Sequence, residues 1–323
     1  MAKVICLIAP MATIGALVLA QPTFAAEGGT GFYLLGSKST MAGYLPGPGF
    51  YGSVSNYFYS GSGNIDYQAG GVTVSGNVNA DAYVGLPTVL WILDQDVLGG
   101  NLGFSVTMPM GGKSLSADAL LTGPKGGVLG TNYDNDHWDF GDPVLGAIWG
   151  GHSGNLHYTF NSLLNIPVGP WEKGNPLNLS FHRWALDTTA ALTYLNPSNG
   201  IELSGAMGFT FNGENSDTNY KTGTEFHLES AAMLHVSRTL SFGVNGYFYD
   251  QVTGDSGSGA VLGDFKGQVL ALGPALDYTF MLGETPVVTN LRYFHEFNTT
   301  HRLEGDAAFL TVSVPLGGQT SHK

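Results

Sequence analysis

The stretch Asn155-Leu156-His157-Tyr158-Thr159-Phe160-Asn161-Ser162-Leu163-Leu164-Asn165-Ile166-Pro167-Val168 decides how this chain folds. Leu156, Tyr158, Phe160, Leu164, Ile166 and Val168 fall on one side of an extended backbone. Asn155, His157, Thr159, Asn161, Asn165 and Pro167 fall on the other. A period of two is the pattern of a strand whose faces meet different surroundings. The same rhythm returns down to the C-terminus, with aromatics concentrated on the apolar side. Strands of roughly ten residues with one apolar and one polar face belong to a transmembrane barrel, with lipid outside and water or solute inside.

Working outward, strands are predicted over 50–60, 77–92, 100–111, 139–150, 155–168, 185–195, 201–212, 223–236, 240–252, 265–281, 286–298 and 305–316. Short connections fall at 94–98, 151–154, 196–199, 237–239 and 282–285, and longer ones at 61–76, 112–138, 169–184, 213–222, 253–264 and 299–304. Short and long alternate, as periplasmic turns and outer loops do in such barrels. The expected fold is all-β: an antiparallel up-and-down barrel of about twelve strands with both termini on the periplasmic side. A soluble β-sandwich shares the alternation, but its strands average five or six residues, shorter than 265–281 or 223–236.

Met1 to Ala25 reads as a signal peptide: Lys3, an apolar run from Val4 to Ala20, then small residues before the cut. The only cysteine, Cys6, leaves with it. Charged residues are 11% against a usual ~25%, and no later stretch offers ~18 consecutive apolar residues. An exported chain without a spanning helix crosses a membrane only as a closed barrel, which points to the outer membrane of a Gram-negative bacterium. Outer-membrane lipid, a small-molecule solute and the barrel assembly machinery during insertion are the expected partners. A net charge of −13 argues against nucleic acid. The expected division is 1–25 leader, 26–49 lumen segment, 50–316 barrel and 317–323 periplasmic tail.

The polar strand faces assign Asp81, Asp187, Glu202, Glu225, His227, Glu229, Tyr247, Tyr249, Asp277, Arg292 and Glu296 to the interior. Such a wall is either an acid-biased conduit or a filled hydrogen-bonded network. Twelve strands leave a lumen that needs water or a plug. Residues 27–49 are the plug candidate, being rich in Gly and Pro yet too apolar at Phe32, Tyr33, Leu34, Leu35 and Tyr44 for a solvated tail. The expected solute path uses Tyr33, Tyr44, Tyr247 and Tyr249 at the mouth and plug, then Asp81, Glu202, Glu225, His227, Glu229, Arg292 and Glu296 along the wall. No cofactor is expected. Asp134-Asn135-Asp136-His137-Trp138-Asp139 gathers oxygen donors but departs from the calcium-loop pattern, so no metal site is assigned. A barrel enzyme would need a nucleophile beside His157, His227, His235 or His295, and no pair stands out. A structural or adhesive barrel with a closed lumen is the remaining alternative.

Several stretches carry a resemblance. They include Glu27-Gly28-Gly29-Thr30-Gly31-Phe32-Tyr33, Gly141-Asp142-Pro143, Phe226-His227-Leu228-Glu229, Tyr247-Phe248-Tyr249-Asp250-Gln251-Val252-Thr253-Gly254-Asp255-Ser256-Gly257 and Arg292-Tyr293-Phe294-His295-Glu296-Phe297. Together they resemble the MetA-pathway of phenol degradation family of exported proteins. The resemblance implies an outer-membrane barrel associated with uptake of phenol-like or other aromatic compounds. It names no binding residues.

Overall fold

The computed structural model describes residues 27, 30–69, 72–122, 128–260 and 266–317. The expected leader, its cleavage site and the tail beyond Gly317 lie outside the described residues. The strands are β1 (Gly49–Ala69), β2 (Val72–Val97), β3 (Gly100–Thr107), β4 (Met110–Thr122), β5 (Val128–Phe140), β6 (Val144–Ser153), β7 (Leu156–Asn165) and β8 (Ala185–Asn196). They continue with β9 (Ile201–Asn212), β10 (Glu214–Asn215), β11 (Tyr220–Lys221), β12 (Glu225–His235), β13 (Leu240–Gln251), β14 (Gln268–Leu282), β15 (Thr285–Thr300) and β16 (Glu304–Gly317).

Each wall strand pairs antiparallel with its neighbour, and β1 pairs with both β2 and β16, which closes a 12-stranded barrel. Closure leaves the barrel no free edge, the condition for spanning lipid with strands. Of the four remaining strands, β10 and β11 form a small separate sheet, and two breaks show how β4 and β5 arise. Met108–Pro109 separate β3 from β4, and Gly141–Pro143 separate β5 from β6. Beyond the breaks, β4 lies along the first half of β2 and β5 along β4, so a tall hairpin projects past the barrel rim.

Burial is inverted relative to a water-soluble core. On β8 and β9, Leu186, Leu192, Leu203, Met207, Phe209 and Phe211 are exposed, while Asp187, Thr189, Thr193, Glu202 and Thr210 are buried. Alternation alone accounts for this, with lipid facing one parity and the lumen the other. Leu276, Leu291 and Leu310 sit in register as one row across β14, β15 and β16, all outward and exposed. Phe209, Phe226 and Phe248 form a chain of tilted ring pairs on three neighbouring strands, as an interfacial girdle does.

The structure differs from expectation along 61–76 and 112–138, read as loops but largely strand. These segments stand beyond the rim, where water replaces lipid. In Ser60-Gly61-Ser62-Gly63-Asn64 both faces are polar or small, and no alternation marks the strand there. The strand expected at 139–150 begins only at Val144, after Pro143, and the one expected to reach Val168 stops at Asn165.

The lipid band predicts an asymmetric response to charge. Leu291→Arg places a cation against hydrocarbon near mid-strand and costs about 2–4 kcal/mol. Asn79→Arg adds the same charge to the projecting part of β2, where Asn79 is exposed between Ser62 and Ser116, and is nearly neutral. The yield of folded, heat-modifiable barrel on gels separates the two. Equal yields would place the band elsewhere.

Candidate functional site

A chain rich in Gly and Pro has few ladder partners, yet its buried N–H groups need acceptors. The barrel wall supplies them to residues 30–48 one after another. Tyr33 stacks on His227 at 3.6 Å between centroids. Glu229 accepts from the Gly36 and Lys38 amides at 2.9 and 2.8 Å. Arg292 donates to the Gly36 and Ser37 carbonyls at 2.6 and 2.8 Å. Glu202 accepts from the Met41 amide, Thr193 from the Gly43 amide, and Thr159 donates to the Ala42 carbonyl. Tyr44 then lies beside His157, close to the short connection between β6 and β7, before β1 begins.

At the opposite end, Glu27 is held among the long connections. Its carboxylate accepts from Asn215 at 3.0 Å and Thr218 at 2.6 Å and faces Arg183 at 3.4 Å. The neighbouring connection is tied by Asp255, which accepts from Tyr220, the Gly223 amide and Gln251. Burial, and then the bond to Asp255, push the Tyr220 phenol up, which keeps it a donor. The segment therefore runs from the end with long connections to the end with short ones. Two glycines permit the fit. A Cβ on Gly36, whose φ is +85°, would meet the Phe294 ring, and one on Gly43 would meet wall backbone at Thr193 and His157.

The structure buries Glu202, Glu225, His227, Glu229, Tyr247, Tyr249, Arg292 and Glu296 on the inner face, and their polar groups are largely engaged. Glu225 accepts from Tyr249 at 2.7 Å and Asn212 at 2.9 Å. Glu296 accepts from Tyr247 at 2.7 Å, Tyr59 at 3.0 Å and the Gly305 amide at 3.1 Å. Asp187 accepts from Thr189 and Thr210 at 2.7 Å and pairs with His227 at 2.9 Å. Carboxylates with this many donors hold the wall and the segment together. Asp81 is not among them. It pairs with Ser60, two positions along from the outward Phe58–Tyr83 pair, and is exposed, while bordering the cavity described below. Inward positions on β2 are the even-numbered ones there, Val78, Ala80, Ala82 and Val84, so at this level the apolar parity looks inward and the polar one, which assigned Asp81 to the interior, looks out.

Between the segment and the β1–β2 wall lies a cavity of about 240 Å³. Phe32, Leu34 and Leu35 bound it from the segment, Tyr57, Tyr59, Val84 and Leu86 from the wall, and Leu177, Leu179 and Phe181 from the 166–184 connection. Glu296, Tyr247 and Arg302 form a polar margin. A dry cavity of ~150 Å³ admits benzene, so this one accommodates a monocyclic aromatic. Asp142 draws the 166–184 connection into place: buried, it accepts from Ser180, Asn165 and the Phe181 and Gly169 amides at 2.6–2.9 Å. Asp142→Ala strands these donors at about 1–3 kcal/mol each. We expect faster proteolysis within 166–184 with the barrel intact, and unchanged proteolysis would refute Asp142 as the tether.

Tyr57, Tyr59, Arg302 and the 166–184 connection were absent from the sequence-based path. Tyr57-Phe58-Tyr59 is aromatic on both faces, which hides its parity, whereas Gly141-Asp142-Pro143 was a usable signal. The histidines have partners of other kinds. His227 pairs with Asp187, His235 with Glu202 and His295 with Asp306, while His157 meets the rings of His152 and Tyr44. None of these partners is a hydroxyl nucleophile. Asp134 to Asp139 lie along β5, and among the described residues no three His, Cys, Asp or Glu side chains gather as metal ligands.

Comparison with known proteins places this architecture. The family model described as "Putative MetA-pathway of phenol degradation" matches residues 62–312. The COG4313 outer membrane channel from Pseudomonas putida F1 superposes with a TM-score of 0.66 at 17% identity, covering 87% of this chain and 99% of that one. A Pseudomonas aeruginosa FadL homologue gives a TM-score of 0.44 at 10% identity, covering 91% and 100%. A search of curated proteins found no match.

Proposed function

Because the chain belongs to the family described as that of phenol degradation by the MetA pathway, and closes as an outer-membrane type of barrel, we propose that it is a diffusion channel. Small aromatic or hydrophobic molecules, phenol-like ones included, cross the outer membrane through it. The observation that carries this reading is the 240 Å³ apolar cavity between the luminal segment and the β1–β2 wall. Its size suits one aromatic ring, and its lining of Phe32, Tyr57, Leu177 and Phe181 offers dispersion contacts rather than hydration.

In this reading residues 30–48 are a plug. They fill the polar part of the lumen, so the acidic wall holds the plug in place instead of lining a water-filled pore. Bulk ions and sugars are then excluded, while an apolar solute exchanges water for the cavity lining. Tyr33 and Tyr247 flank the cavity, and Tyr44 sits at the short-connection end, where a solute leaves.

The test is solute flux into liposomes holding the purified protein. Phenol is expected to enter far faster than glucose, and faster than into protein-free liposomes. Equal entry of both would indicate a general pore. Entry of neither would favour a closed structural barrel, the reading to which the fully engaged carboxylates lend most weight.

A further inference from the structure

We propose that Arg302 sets the specificity of the cavity, selecting aromatic solutes that carry an acceptor oxygen over hydrocarbons of the same size. The inference rests on the channel reading and deepens it by naming the chemical group that is recognised.

Arg302 sits in the brief connection between β15 and β16, and its guanidinium lies 4.4 Å above the centroid of the Tyr249 ring. That stacking fixes the plane of the guanidinium and leaves its N–H groups pointing along it. Arg302 lines the cavity together with its neighbour Leu303. Its Nη1 is buried and has no hydrogen-bond partner in the protein.

Glu296, the obvious acceptor on the same margin, is already taken by Tyr59, Tyr247 and the Gly305 amide. Its charge holds the cation nearby without pairing the Nη1 donor. A buried donor left unpaired is costly, so a solute that brings an acceptor gains what a hydrocarbon cannot. The negative charge of Glu296 beside the site disfavours a carboxylate and leaves a neutral hydroxyl, ether or carbonyl oxygen as the matching group. The rest of the solute meets Leu115, Leu177 and Leu303, which recognise only its apolar bulk.

The experiment compares two size-matched pairs, p-cresol with p-xylene and anisole with ethylbenzene, for binding to the detergent-purified full chain by equilibrium dialysis. Anisole matters because it accepts hydrogen bonds but donates none. The wild type is expected to hold each oxygenated member about tenfold more tightly, the scale of one hydrogen bond to a charged group. Arg302→Met keeps much of the stacking volume but removes the donor, and should bring both ratios to about one. Arg302→Lys retains a donor and should keep a preference.

Equal binding of anisole and ethylbenzene by the wild type overturns the inference without any variant, so a poorly folding Arg302→Met does not protect it. An unchanged ratio in folded Arg302→Met overturns it too. Binding of all four solutes with no preference would leave the aromatic channel standing and remove Arg302 from it. Binding of none would remove both.

Discussion

Deleting residues 30–44 is expected to convert a nearly silent barrel into an open pore. The segment contributes no strand to the wall, and β1 closes on β2 and β16 through residues that begin at Gly49. The deletion variant should therefore still fold and remain heat-modifiable. What it loses is the material seated against Glu202, Glu229 and Arg292. Water then reaches a wall rich in carboxylates, and planar-bilayer recordings should show a large step in conductance with a preference for small cations. Sugars excluded by the full-length protein should enter liposomes. Unchanged conductance in demonstrably folded barrels would mean that the segment does not control the lumen.

Glu229→Ala is expected to produce the next largest effect, by loosening the segment without removing it. One buried carboxylate accepts both the Gly36 and Lys38 amides and faces the guanidinium-anchored turn that Arg292 grips through the Gly36 and Ser37 carbonyls. Hydrogen bonds to a charged acceptor contribute about 1.5–3 kcal/mol each, so losing the pair leaves this turn poorly held. Recordings should show flickering openings absent from the wild type, and protease added from the periplasmic side should cut within 34–43. Glu229→Gln keeps one acceptor oxygen and should fall between the two. The wall pairs β12 with β9 and β13 through continuous backbone ladders that a side-chain substitution leaves in place, so the barrel survives both substitutions.

Where lipid and lumen face opposite sides of a strand, the residues declare it. Leu203, Met207, Phe209 and Phe211 against Glu202, Ser204, Ala206 and Thr210 are legible in sequence as the two faces of β9. Beyond the lipid band the sides no longer divide lipid from lumen: polar and small residues hide the strand character of 60–64, and near Asp81 the apolar parity of Val78, Ala80, Ala82 and Val84 faces inward instead of out. Residues 27–49 were legible as something other than a tail, because a solvated segment would not carry Phe32, Tyr33, Leu34 and Leu35 together. Their partners were not, since Glu229, Arg292 and Thr193 meet them across more than a hundred residues of chain. The cavity was the least visible feature. It is assembled from a luminal segment, a wall and an indrawn connection, and Arg302 reaches it from a turn that no periodicity marks.

The central claim is that the N-terminal segment is seated inside the barrel, and a cysteine cross-link tests it most directly. Ser39 Oγ lies 3.4 Å from Asn245 Oδ1 on β13, and the chain's only cysteine is Cys6, far from both in sequence. Ser39→Cys with Asn245→Cys, expressed in cells and oxidised in the intact envelope, should form an intramolecular disulfide in nearly every molecule. After proteolysis between the two positions, the fragments should stay joined until reduced. Free alkylation of both thiols, with fragments that separate without reductant, would contradict the account.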